Sequence, residues 1–284
     1  MDPNMTRRRA LIAGAAITVS GLVFGGVVTS QLADEKSEEH TTDTFNETYN
    51  ATEISVNTDV GSVSVTGADR EAVELEIEQS GSVSSLDRTT LTVDKSDSTL
   101  NVTVNYEQTI MERFGLTDDS RPNSEIALTI PHELERAVLE TENGAIDVRD
   151  IEATVTASST NGEVGVDNVS KIAGLKSTNG NIDAVSKALA DEALIETTNG
   201  DVTLETDALN GDVTFESTNG EIDYMLGDIV DATVTVSTTN GEIKFNSDRA
   251  SVETQTDEEL EAVVGEGTND LHFETVNGDI TIVD

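Results

Sequence analysis

Carboxylates are the one reactive side-chain type that this chain holds in quantity: Asp and Glu number 56 against 16 Lys and Arg. Two pairs, Asp183 with Asp201 and Glu163 with Asp167, have the chemistry to share a cation or to act as general acid and base. A solvated acidic face is the plainer account of them and the one that the composition favours. The Gly-Gly-x-Gly-x-Asp pattern of calcium-binding coils does not occur, and His40, His132 and His272 lack ligand spacing. With no Cys there is neither thiolate chemistry nor a disulfide. No Gly-x-Ser-x-Gly elbow marks a nucleophile, and the acidic Gly265-Glu266-Gly267 stretch is too short to cradle phosphate. Some β-helical polysaccharide lyases and hydrolases gather an Asp cluster and a basic residue on one face. Here Arg136, Arg149, Lys171, Lys176, Lys187, Lys244 and Arg249 fall in no common column. The residues therefore specify no catalytic, cofactor-binding or metal-ligating set, and weakly bound cations are the one inorganic partner they invite.

What would position any such residues is a recurring phrase. It reads TENGAIDV at Thr141–Val148 and STNGEVGV at Ser159–Val166, and ends as TVNGDITI at Thr275–Ile282. Its turn residues are Asn143-Gly144, Asn161-Gly162, Asn179-Gly180, Asn199-Gly200, Asn219-Gly220, Asn240-Gly241 and Asn277-Gly278. The steps between them are 18, 18, 20, 20, 21 and 37 residues, the last roughly two periods. A fixed period of this size marks a repeat architecture. Two residues after each Gly stands a β-branched residue: Ile146, Val164, Ile182, Val202, Ile222, Ile243 or Ile280. Four residues before each Asn stands Leu139, Ala157, Leu175, Ile195, Phe215, Val236 or Phe273. Alternation on both sides of Asn-Gly means strand, corner, strand, with one face buried. Gly, free to take positive φ, and Asn, tolerant of the left-handed region, suit a sharp change of direction. Two folds satisfy the columns. Each Asn-Gly is either the tip of a two-residue hairpin or the corner of an all-β parallel β-solenoid with coils of roughly 20 residues. The near-constant period favours the solenoid, because stacking needs equivalent residues one coil apart.

Taken from its start, the chain opens with Arg7, Arg8 and Arg9 before the uncharged run Ala10–Ala33. Residues 1–33 read as a twin-arginine-type export signal or a retained N-terminal membrane anchor. Either reading puts the remainder on the extracellular face of a membrane or in secretion. Residues 34–52 are polar and acidic and read as a disordered linker. Glycosylation sequons begin at Asn46, Asn50, Asn101 and Asn168. A solenoid domain is expected over 53–284, with irregular coils at 53–133 and regular Asn-Gly coils at 134–284. Val56, Thr58, Gly61, Val63 and Val65 fit the columns as a degenerate first coil. Tyr106–Glu125 reads as an excursion, and Asn246–Asp270 as one irregular coil filling the double step.

The formal charge of −40 excludes ordinary electrostatic binding to nucleic acid or anionic lipid. The acid is spread along the chain and only six residues are Lys, a balance suited to molar salt. The residue after each phrase Gly (Ala145, Glu163, Asn181, Asp201, Glu221, Glu242, Asp279) would stack at about 4.8 Å in a solenoid.

The repeated [ST]-[ST]-N-G-x-[IV] units, the entry IALTIPHELERAVLETENGAIDV and the ending GEGTNDLHFETVNGDITI resemble the putative-adhesin family. The resemblance covers roughly Glu53 to Asp284. It implies a parallel β-solenoid, exported or membrane-tethered, with no catalytic residues to carry over. The acidic bias and the twin-arginine start resemble halophilic archaeal surface proteins. The expected role is a non-enzymatic adhesion or structural module meeting a surface glycan or envelope protein. A polysaccharide-active β-helix and a cation-dependent envelope scaffold are the alternatives.

Overall fold

The computed structural model describes residues 31–32, 40–114 and 121–284. Among these, 21 strands and two four-residue helices build one continuous, mostly parallel sheet wound into stacked coils. The strand Arg136–Asn143 lies parallel to the second half of Ile146–Asn161, with Asn143 opposite Asn161. The same register carries Asn161 to Asn179, Asn179 to Asn199 and Asn199 to Asn219. Beyond each corner the chain continues into a second face, where Ile146, Val164, Ile182, Val202 and Ile222 align in turn. Each phrase is therefore a solenoid corner, and the hairpin reading is excluded by the parallel pairing.

Spatial order departs from chain order at both ends. Asn219 stands opposite Asn277, and Asn277 opposite Asn240. The last coil of the sequence, 269–283, is thus intercalated between coil 213–226 and coil 232–246. The stretch expected to be one irregular coil is instead an antiparallel hairpin of Ala250–Gln255 and Glu259–Val264, the latter pairing antiparallel with Ala232–Ser237 and closing that end of the first face. Gly265 and Gly267, at φ +69° and +72°, make the return. The Asp231 carboxylate accepts the Glu266 and Thr268 N–H groups at 3.2 and 2.8 Å and holds the return in place.

At the other end, coil 53–68 has a neighbour on each side. Thr99–Tyr106 and Asn123–Pro131 flank it outwardly, and Arg136–Asn143 with the start of Ile146–Asn161 flank it inwardly. The reading of 34–52 as a disordered linker does not hold for His40–Tyr49, a strand antiparallel to Val73–Ser82. Its polar composition conceals that Phe45 and Tyr49 pack against the core. The segment 1–30 and residues 33–39 lie outside the described residues.

The interior is a set of continuous side-chain columns. Leu139, Ala157, Leu175, Ile195, Phe215, Phe273 and Val236 form one, all buried. The intercalated coil stacks Phe273 on Phe215 at 4.6 Å between ring centroids, with Tyr224 tilted against both. Burial pushes the Tyr224 phenol far up, and its hydroxyl, like Thr41 Oγ1 and Arg70 Nε, is a buried polar atom without a hydrogen-bond partner among the described residues.

The corners explain the phrase residue by residue. Gly is not there for left-handed backbone: none of the seven phrase glycines has positive φ. It is there for close approach. A Cβ on Gly180 would collide with the carbonyl oxygen of Gly162, and the same holds down the stack from Gly144 to Gly241. The hydroxyl two residues before each Asn is buried and donates to that carbonyl: Ser159 to Gly144 at 2.9 Å, Ser177 to Gly162 at 2.9 Å, Thr197 to Gly180 at 3.1 Å. The Asn side chains form their own ladder, each Nδ2 donating to the neighbouring Oδ1 at 2.9–3.0 Å from Asn143 through Asn240. Left-handed residues occur elsewhere, at the opposite corner, where Asp150 (φ 57°) stacks on Asn168 (φ 51°). Gly165, in the middle of a strand, is a different case: a Cβ there would meet only ordinary contacts. We expect Gly180→Ala to lower stability by about 2 kcal/mol through overpacking. Gly165→Ala should be neutral or stabilising by roughly 0.5 kcal/mol from lost chain entropy. Urea denaturation of the two variants tests this, and equal effects would refute the close-approach account.

Candidate functional site

On the second face, alternate residues point away from the core and stack in columns. One column runs Ser64, Asp147, Gly165, Asp183, Thr203, Asp223, Thr281, Lys244. Two residues further along each strand, Arg149, Asp167, Val185, Glu205, Met225 and Val283 make a second. The members from Asp147 to Thr281 of the first column and those of the second border a shallow trough of about 650 Å³. Its composition is mixed. Carboxylates rim it, while Val185 and Met225 remain 42% and 45% exposed within it.

Gly165 leaves a notch between Asp147 and Asp183, and Glu163, at the corner just before the strand Val164–Asn179, borders the same trough. The hydrogen bond to Asp183, partial desolvation and the nearby charges of Asp183 and Asp147 hold the Glu163 carboxyl above the ordinary glutamate range. The guanidinium of Arg149, which lines the same trough, is paired with Asp147 through Nε–Oδ1 and Nη2–Oδ2 contacts of 2.8 Å each. The pairs that the sequence singles out are thus re-sorted. Asp183 meets Glu163, whereas the Asp201 carboxylate accepts the Glu221 N–H at 2.9 Å. Asp167 stands in the second column. Among the described residues, no group of three His, Cys, Asp or Glu side chains has metal-holding geometry.

The column after each Gly is partly backbone support. Asn181 accepts the Asp201 N–H at 3.0 Å, and Asp279 accepts the Glu242 N–H at 2.9 Å. That bond, with Lys244, holds the Asp279 carboxyl below the ordinary aspartate range. Bonds from the Thr268 and Glu266 N–H groups do the same for Asp231. Sequence reasoning found the column but not these bonds, because intercalation of the last coil makes Asp279, not Glu221, the neighbour of Glu242. Of the four sequons, Asn46 and Asn50 are exposed and Asn101 is half-buried in Thr99–Tyr106. Asn168 sits at a left-handed corner with its amide bonded to Asp150 at 2.7 Å.

A parallel solenoid with a buried hydroxyl, Asn and Gly at each corner defines a repeat scaffold with an open outer face. The chain belongs to the Toastrack DUF4097 family, whose profile matches residues 123–283. No curated protein matches it. Similar solved structures include a putative cell adhesion protein from Clostridium sporogenes (10% identity, 91% of this chain and 99% of that one, TM-score 0.37). A putative adhesin from Bacteroides fragilis aligns at 14% identity over 84% and 96% of the two chains, with a TM-score of 0.37. A putative lipid binding protein from Parabacteroides distasonis aligns at 16% over 86% and 97%, with a TM-score of 0.40.

The raised Glu163 value has a definite sign. The folded chain holds this proton more tightly than the unfolded chain, so the pair's contribution is full below the ordinary glutamate range and is lost as pH rises through the folded value. At neutral pH two carboxylates remain crowded. Glu163→Gln should therefore stabilise the chain at neutral pH by about 0.5 kcal/mol, with the gain vanishing in acid; melting curves across pH report it, and a pH-independent difference would refute the pairing. Repulsion along the Glu163–Asp201–Glu221–Asp279–Glu242 column should also make the melting midpoint rise on moving from low salt to about 1 M salt, where the screening length falls to about 3 Å. Equal midpoints would remove salt dependence from the account.

Proposed function

We propose that this chain is a non-enzymatic binding and structural module on the outer side of a cell membrane, tethered or released according to the fate of residues 1–33. The trough carries the reading. It is a rigid, laddered face on which exposed Val185 and Met225 lie among Asp147, Asp167, Asp183, Glu205 and Asp223. Such a face suits an envelope protein segment bearing both basic and apolar side chains, since apolar area supplies affinity and charge supplies selection. Gly165 supports this, because a strand glycine that packing does not require leaves backbone open to close approach. Extracellular placement is supported by Arg7, Arg8 and Arg9 abutting the uncharged run to Ala33. Adaptation to high salt, use of the sequons and weak cation binding belong to the same proposal.

A second reading has one observation in its favour. The Glu163–Asp183 pair, with a raised Glu163 and with Arg149 lining the same trough, has the elements of acid catalysis on a polysaccharide. A screen of envelope proteins and glycans against wild type, Gly165→Thr and Met225→Glu separates the two. Binding should fall at least tenfold in both variants while the fold is kept. Undiminished binding would move the site elsewhere. Release of sugar fragments by wild type and not by Glu163→Gln would favour the enzyme.

A further inference from the structure

Large exposed apolar residues are scattered over most of this surface, but three fall within five positions. Ile110 is 77% exposed, Met111 59% and Phe114 72%. They belong to the short helix Ile110–Arg113 and the residue after it, on the excursion between Thr99–Tyr106 and Asn123–Pro131. This turn is held firmly from its polar side. Glu112 accepts from Arg88 Nη1 at 2.6 Å and Nη2 at 3.0 Å, from the Tyr106 hydroxyl at 3.0 Å, and from the Thr109 N–H at 2.7 Å. Thr109 returns the capping bond to the Glu112 N–H at 3.2 Å, and Arg88 also lies over the Tyr106 ring at 5.0 Å. So dense a set of charge-assisted bonds fixes which side of a single turn faces out, and that side is apolar.

Its place in the fold indicates what covers it. Arg88 follows the helix Val83–Leu86, which is capped by Ser82. Ser82 stands opposite His40, the first residue of His40–Tyr49, and Gln31–Leu32 pairs with Thr41–Thr42 beside it. Gln31–Leu32, a part of the uncharged stretch, is thus paired into the same end of the sheet as the excursion that carries Ile110, Met111 and Phe114, since Thr42 faces Ser80 and Ser80 faces Asn123. We propose that this apolar turn is a second membrane contact, seated in the interfacial region of the bilayer that the N-terminal run enters, so that the solenoid stands with this end against the lipid. The proposal rests on the tethered form of the reading above. The occupant is lipid of low surface charge, because a chain of charge −40 is repelled by anionic headgroups. The exposed Arg113 beside the apolar side is placed to meet a headgroup phosphate. One turn alone binds a membrane weakly, and tethering at the same end of the sheet supplies the local concentration that makes the contact persistent.

The chain has no Cys, so single labels are clean. Full-length Met111→Cys, and Val252→Cys at the opposite end, each carrying an environment-sensitive fluorophore, are reconstituted into phosphatidylcholine vesicles with and without brominated acyl chains. The label at 111 should be quenched at least twofold by the brominated lipid and shifted to the blue, and the label at 252 should not. Flotation of the same samples reports the tether independently. A chain that floats while both labels behave alike overturns the second contact and leaves the tether standing. A chain that does not float, with the 111 label unquenched, overturns both. Loss of the quenching in Ile110→Ser/Phe114→Ser, with flotation kept, would assign the contact to the turn.

Discussion

The constraint on which the coils depend is the close approach of glycine to glycine at the phrase corners. At every phrase corner the Cα of one coil sits against the carbonyl oxygen of the next, with no room for a side chain between them. That carbonyl is satisfied from below by a buried Ser or Thr hydroxyl, and the adjoining Asn residues bond side chain to side chain along the stack. Three residue types in fixed order thus solve one problem, which is to turn a backbone through a corner at strand spacing without orphaning its polar groups. The register of both faces follows from it. A slip by one residue would put Asn, or the residue that follows Gly, where glycine must be and turn the aliphatic columns outward.

This division of labour also explains which parts of the fold the sequence could reveal. Period, alternation and the Asn-Gly dipeptide are local properties, and they carry the parallel solenoid from Thr141 to Ile282. The glycine was legible as necessary, but for the wrong reason. Its φ is unremarkable, and what forbids a side chain is a carbonyl some twenty residues away, which no local rule contains. The order of coils was not legible at all. Thr238–Phe245 and Thr275–Ile282 are equivalent in their columns, so nothing in either says which one contacts Ser217–Tyr224. His40–Tyr49 escaped for a similar reason, since Phe45 and Tyr49 are too few among polar neighbours to reveal a strand whose partner lies beyond residue 70.

The acidic face shows the same mixture. As a column after each Gly it could be read from the sequence, and there it looked like a cost of solenoid stacking. In the structure several members support the next coil's backbone, as Asp201 does for Glu221 and Asp279 for Glu242. Repulsion is concentrated where that support is missing, at Glu163, whose partner is another carboxyl. The crowded carboxylates Glu163 and Asp183 therefore border Gly165, an outward position where backbone is bare.

Placement of the final coil inside the stack has a consequence for how the chain reaches this state. A solenoid whose coils are laid down in order can fold as it emerges, each unit using the last as a template. Here the template left open by Tyr224 must either wait, or be covered provisionally by the coil carrying Asn240 and then released, because the segment that belongs there is synthesised after that coil. Deleting residues 269–283 would remove an interior layer between Phe215 and Val236, leaving two matched surfaces free to close on each other.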